Sequence, residues 1–149
     1  MASEVLRSSG SLRLQVTGWS MLPTVWPGDI LVIEHLESDA AKDGDIVLFG
    51  RDRRLFAHRI ISQDSKAGEP GILTRGDAMA APDAPVAKNE LLGKVSYILR
   101  NGKCIEPNKT LRFPERAVAA LVQRSETAAR LVMGVHGLHQ ASRVRTSQD

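Results

Sequence analysis

Leu12, Leu14 and Val16 alternate with Arg13, Gln15 and Thr17, the two-residue period of a strand with one buried face. This strand leads directly into Gly18-Trp19-Ser20. Turn chemistry at Pro23 and Pro27-Gly28-Asp29 is followed by Ile30-Leu31-Val32-Ile33, a short β-branched run bounded by turn signals that predicts a second strand. Ile46-Val47-Leu48-Phe49, after Asp43-Gly44-Asp45, predicts a third in the same way. The charged tetrapeptide Arg51-Asp52-Arg53-Arg54 separates it from residues 55–61, a spacing suited to a hairpin with a solvated turn and one that places His58 within a strand. A region rich in Gly, Pro and Asp follows, interrupted by Ile72-Leu73-Thr74 and running on to Pro85. Its prolines reduce the chain entropy lost on ordering, which predicts a fixed loop. Residues 92–99, Asn101-Gly102 and Lys103-Cys104-Ile105 form another hairpin, with Asn-Gly supplying the positive φ values of a two-residue turn. Strand follows strand without an intervening helical period, so the body is expected to be mainly β, with antiparallel or mixed strands.

Beyond Pro107 the period changes. Val118, Leu121, Val122, Ala128, Leu131, Val132, Val135 and Leu138 recur three or four residues apart, the signature of an amphipathic helix. Pro114 suits the first helical turn and Glu115 its positive end, while Gly134 and Gly137 weaken the far end, with fraying expected there and disorder after Ser142. The chain therefore divides into a β domain at 11–106 and a helical appendage at 107–149. The aliphatic stripe of that helix is rich in alanine and lacks aromatic anchors, which favours packing on the β body. The alternative is a helix lying on a membrane, with Arg116, Arg124 and Arg130 meeting anionic lipid.

Charge and composition narrow the picture further. The 149 residues carry a net charge of +3, but the chain from Lys109 onward carries +4 and the rest −1, so the excess is confined to the appendage. A basic appendage on a near-neutral body does not call for a nucleic-acid partner, and none is expected. With 42% hydrophobic and 25% charged residues, the chain is an ordinary globular one whose scarce aromatics leave the core to aliphatic side chains. Cys104 is the single cysteine and cannot form an internal disulfide, which fits a reducing, cytoplasmic compartment. Residues 1–10 contain Glu4, Arg7 and three serines where a signal peptide needs an apolar stretch. The longest charge-free run, residues 14–28, is broken by Gly18, Pro23 and Pro27, so no spanning helix is expected. His136 and His139 have no third ligand nearby in sequence, and no metal or other cofactor is expected.

Three segments carry candidate chemistry. The first is Gly18-Trp19-Ser20-Met21-Leu22-Pro23-Thr24 with Pro27-Gly28-Asp29; the second is Gly44-Asp45-Ile46-Val47 with Ala57-His58-Arg59-Ile60; the third is Leu73-Thr74-Arg75-Gly76-Asp77 with Asp83, followed by Leu92-Gly93-Lys94-Val95. In order and interval, over about residues 11–102, they resemble the boxes of the LexA and signal peptidase superfamily of serine peptidases. Many members carry lysine at the position matched by His58, and this chain is similar to the histidine branch of the signal peptidases. The resemblance implies a LexA-like β fold, Ser20 as nucleophile, His58 as general base and cleavage after small residues such as alanine. The family's orienting acid falls one residue beyond Asp83, where this chain has Ala84. Gly18 stands where many signal peptidases have a serine that helps the oxyanion.

Chemistry asks for the same residues. A serine hydroxyl is a poor nucleophile until a base takes its proton, and a neutral imidazole, with an ordinary pKa of about 6.5, does this near pH 7. Lysine would need strong desolvation, whereas histidine does not, so the pocket around His58 can be more open. Phe56 and Ile60 share its strand face and are expected to pack and orient the ring. A carboxylate on the far ring nitrogen would fix the tautomer; Asp83 is the first candidate and Asp77 the second. Asp77, Asp29 and Asp45 are otherwise expected to bond turn amides. Backbone N–H groups of Ser20 and Met21 are the expected oxyanion donors, and Trp19, Met21 and Leu22 the expected pocket walls. The partner is then a peptide or protein substrate, and the activity a serine endopeptidase. The rival reading is an inactive peptide-binding or membrane-surface module on the same fold. A self-cleaving repressor is not expected, since only some ten residues precede the first strand.

Overall fold

The computed structural model describes residues 2–36, 40–63 and 71–124. Its order is helix α1 (Ala2–Ser9), strands β1 (Ser11–Gln15), β2 (Ile30–His35), β3 (Ile46–Arg51), β4 (Arg54–Ser62), β5 (Leu73–Arg75), β6 (Leu91–Arg100) and β7 (Lys103–Ile105), then helix α2 (Phe113–Arg124). All seven strands belong to one sheet in the order β1-β2-β6-β3-β4-β5, with β7 pairing β6, and every pairing is antiparallel. The fold is mainly β, as the strand-after-strand pattern requires, and antiparallel rather than mixed.

The sheet is buried on both faces where it meets the site. Ile46 and Leu48 of β3 join a core cluster with Leu6, Met21, Val25, Leu31, Ile33, Val95 and Ile98. Val47, next along the strand, points the opposite way into a cluster with Ala41, Ile60 and Ile72. That is why β3 reads as an unbroken apolar run instead of an alternation. At β1 only one face is buried, and the alternation of Leu12 and Leu14 with polar residues survives.

Both two-residue hairpins turn through positive φ. Asn101 and Gly102 adopt 51° and 73°, the values expected for Asn-Gly, and Asp52 and Arg53 adopt 51° and 60°. Such a pair matches the right-handed twist of the flanking strands. The strands β3 and β4 thus stay in register from Ile46↔Arg59 to Arg51↔Arg54, with Val47 opposite His58.

The sequence pattern predicts no helix before β1; α1 adds Leu6 to the core. Its end carried a signal all the same: Gly10 has φ 71° and donates its amide to the Leu6 carbonyl at 3.0 Å, the left-handed stop of a helix. Helix α2 packs on the β body through Ala119 and Val122, with Val118 alongside. Leu121, expected on the same stripe, is exposed. At about 100° per residue it stands about 100° from Val122 around the helix, outside the buried arc. Residues 125–149, including the rest of the expected stripe, Arg130, His136 and His139, lie outside the described residues. Among the described residues, no helix is long and apolar enough to cross a membrane.

Candidate active site

Ser20 opens the turn that follows β1, His58 sits mid-strand in β4, and Asp83 lies in the proline-rich loop after β5. Thirty-eight and twenty-five residues separate them in sequence, yet their side chains form one chain of hydrogen bonds. Ser20 Oγ lies 3.0 Å from His58 Nε2, and Asp83 Oδ2 lies 2.7 Å from His58 Nδ1. Two independent supports hold this geometry. The Ser20 carbonyl accepts from the Ala78 amide at 2.9 Å, which ties the serine turn to the loop after β5. Asp83 donates its amide to the Thr74 carbonyl at 2.8 Å and accepts from the Thr74 hydroxyl at 2.7 Å.

The imidazole is enclosed. His58 is 5% exposed, with the Phe49 ring edge-on at 6.0 Å and the Phe56 ring tilted at 6.0 Å. The more open pocket that a histidine permits is not what forms: β3 and β4 place Phe49 and Phe56 directly opposite one another, and the stacked pair walls the ring. Phe56 lies against the ring as expected, and Ile60, two residues on along the same strand face, packs with Val47, the residue opposite His58.

Burial works to raise the Asp83 carboxyl, but hydrogen bonds from His58 and Thr74, helped by the charges of His58 and Arg51, outweigh it and hold the group below its ordinary value. Its carboxylate form is thereby favoured. An imidazole held by such a carboxylate at Nδ1 presents Nε2 as the acceptor for a serine proton. Ala84, at the position of the family's acid, contributes only its carbonyl, which accepts from Arg51 Nη1 at 3.1 Å.

Asp77 does not bond turn amides, and it is not the partner of His58. Arg59 donates to both its oxygens, each at 2.8 Å, and Thr24 donates its hydroxyl to the same carboxylate. Neighbours along a strand point to opposite faces, so Arg59 cannot share the side of His58 and takes Asp77 with it. Arg59 also donates to the carbonyls of Gly44 and Asn108, at 2.9 and 2.6 Å, and so joins the serine turn, the loop after β5 and the chain entering α2. Asp29 and Asp45 do accept turn amides, from Trp26 and Lys42, and each also pairs with a cation, Arg100 and Lys94.

A groove of about 520 Å³ opens beside Ser20 and His58, lined by Leu14, Val16, Gly18, Met21, Val25, Leu31, Leu48 and residues 54–57 among others. Met21 is a wall, as expected. Trp19 and Leu22 are not: they pack with Ala78, Trp26, Val118 and Val122 against α2, because the turn at residues 20–24 directs alternate apolar side chains to different clusters. Among the described residues, the Ser20 and Met21 amides meet no acceptor, and both residues line the groove.

Arg51 was read as part of a solvated turn, and no local signal marks it otherwise. It bonds the Glu90 carboxylate and the carbonyls of Ala84 and Pro85, fixing the chain that carries Asp83. The Glu90 carboxylate is held low by its hydrogen bond from Arg51, and the Arg51 guanidinium is held above its ordinary value by the same bond.

A family model for Peptidase S24-like proteins matches residues 1–95, a span that contains α1, Ser20, His58 and Asp83. The chain belongs to the Peptidase S24-like family. No curated protein matches it. In this Peptidase S24-like chain the matched span includes α1 and ends within β6, leaving β7 and α2 outside it.

Proposed function

We propose that the protein is a serine endopeptidase of signal peptidase-like, histidine-type chemistry. The observation that carries this reading is the continuous path from Ser20 Oγ through the His58 ring to Asp83 Oδ2. Ser20 attacks the scissile carbonyl carbon while its proton passes to His58 Nε2. The resulting oxyanion is met by the Ser20 and Met21 amides, and Asp83 stabilises the imidazolium. His58 then gives the proton to the leaving amine as the C–N bond breaks, leaving Ser20 acylated. Water repeats the sequence: its proton goes to His58, the ester bond to Ser20 breaks, and Ser20 takes the proton back as the carboxylic product leaves.

The substrate is read as an extended peptide. Strand β4 pairs with β3 along residues 54–59, but β5 covers only residues 59–62 of its other edge. Residues 54–58 of that edge, unpaired among the described residues, border the groove, and an added strand would satisfy their backbone groups. Small residues beside the scissile bond are the expected preference.

The test is cleavage of an alanine-containing peptide library by wild type, Ser20→Ala and His58→Ala, read by mass spectrometry, with fluorophosphonate labelling of Ser20 alongside. Loss of turnover by about 10³-fold or more in both variants is expected, and Asp83→Asn is expected to lose about 10²- to 10⁴-fold. Identical profiles from wild type and variants, with no labelling of folded wild type, would leave a peptide-binding module as the function.

A further inference from the structure

The groove beside Ser20 is apolar along its floor, with Leu14, Val16, Leu31 and Leu48. Its lining contains two side chains that can carry a charge, His58 and Arg54, and no carboxylate. Arg54 is exposed. Its neighbour Arg51 is engaged by Glu90, whereas the Arg54 guanidinium has no hydrogen bond or ion pair among the described residues. It shares a strand face with Phe56 and His58, two and four residues on, at the rim of the groove and on the β4 edge left uncovered by β5. A permanently charged fork at the edge of an apolar groove needs a counter-charge when a peptide covers it and removes water.

We propose that Arg54 is a subsite for an acidic side chain of the substrate, four residues along β4 from His58; this rests on the endopeptidase reading of Ser20 and His58. At about 3.3 Å per residue the separation is about 13 Å, so a peptide laid along the edge presents its carboxylate to Arg54 from about four residues away from the scissile bond. Glutamate or aspartate there forms a two-pronged pair with the guanidinium. Arg53 is a built-in control: it is also cationic, but it sits in the turn with φ 60° and does not line the groove.

The experiment uses the full chain and a set of otherwise identical alanine-rich peptides with Glu, Gln or Lys placed three, four or five residues to either side of the cleaved bond. The quantity read is the ratio of kcat/KM for the Glu and Gln peptides, which cancels any change common to both. Wild type is expected to favour Glu by about fivefold at one position, less as salt approaches about 1 M. Arg54→Gln is expected to bring the ratio to about one, Arg54→Glu to shift the preference to Lys, and Arg53→Gln to keep the wild-type ratio. A wild-type ratio of one at every position, or a ratio that survives in both Arg54 variants, overturns the subsite. The same peptides are also titrated by fluorescence anisotropy against Ser20→Ala, with and without Arg54→Gln. A Glu preference in binding that depends on Arg54, without cleavage by wild type, keeps the subsite and sinks the endopeptidase reading. Absence of both overturns both.

Discussion

Arg51 and Glu90 meet through two parallel hydrogen bonds, Nε to Oε1 at 3.1 Å and Nη2 to Oε2 at 2.8 Å, while the same guanidinium holds the carbonyls of Ala84 and Pro85. The residue that accepts from His58 is therefore held by a clamp that touches neither Ser20 nor His58. Arg51→Met is expected to lower kcat by about tenfold with a smaller change in KM, since a misplaced acid costs orientation rather than substrate contact. Arg51→Lys should restore only part, because lysine has no planar fork. Steady-state kinetics on folded protein decides this; a Tm loss with kcat intact would reduce Arg51 to a stabilising residue.

Acid should weaken the same corner. Asp83 and Glu90 are both held below their ordinary values, so the folded state binds fewer protons there than the unfolded chain. Their contribution is fully present above the unfolded values, about 3.9 and about 4.3, and is lost as pH falls through the lower folded ones. Urea midpoints are expected to decline from about pH 5 downward, and the decline to flatten in the Asp83→Asn, Glu90→Gln double variant. An equal slope in wild type and double variant would place the acid sensitivity elsewhere.

Two glycines near Ser20 should behave oppositely. A Cβ at Gly76 would lie 2.6 Å from the Ser20 carbonyl oxygen and 2.7 Å from Met79 Cγ, so Gly76→Ala must displace the serine turn, at a cost of about 1–3 kcal/mol, and slow fluorophosphonate labelling. At Gly18 a Cβ meets nothing within 4 Å and φ is not left-handed. Gly18→Ala should keep Tm, and its methyl should raise KM by entering groove space that a peptide needs. An unchanged KM in folded Gly18→Ala would show that a peptide does not need this space.

The pair Arg59 and Asp77 is nearly sealed from solvent, with side chains 9% and 4% exposed. Arg59→Met would leave Asp77 buried without its cation, a change that costs about 3 kcal/mol or more. Chemical denaturation should show this loss, and Arg59→Met with Asp77→Leu should recover part of it. A single variant as stable as wild type would mean that water replaces the guanidinium.

Local pattern sufficed for what is local. The alternation at Leu12 and Leu14, the apolar run at Ile46 to Phe49, and Asn101-Gly102 each encode their own backbone state, because side-chain period and permitted φ are properties of a few adjacent residues. The boxes around Ser20 and His58 were legible for a related reason: a nucleophile turn and a strand-borne base each need specific neighbours in sequence. Helix α1 carries no such pattern, since its eight residues are too few to display a helical period.

What the linear chain could not decide is which carboxylate meets which cation. Asp83 and, behind it, Asp77 are both candidates in sequence, and their separation follows from the strand alternation that turns His58 and Arg59 to opposite faces, combined with where the loop after β5 folds back. Arg51, read as a turn residue, became the clamp of Asp83 because antiparallel pairing brings the end of β3 beside the start of β6. Trp19 and Leu22 adjoin Ser20 in the chain but pack against α2, since the direction of a side chain in an irregular turn is set by the tertiary contacts around it. The sequence by itself determined the strands other than β5, which lies in the expected loop and is a strand only through pairing with β4, and the candidate residue types; only the tertiary structure decided their partners, because hydrogen bonds and burial between distant segments depend on distances that no local pattern contains.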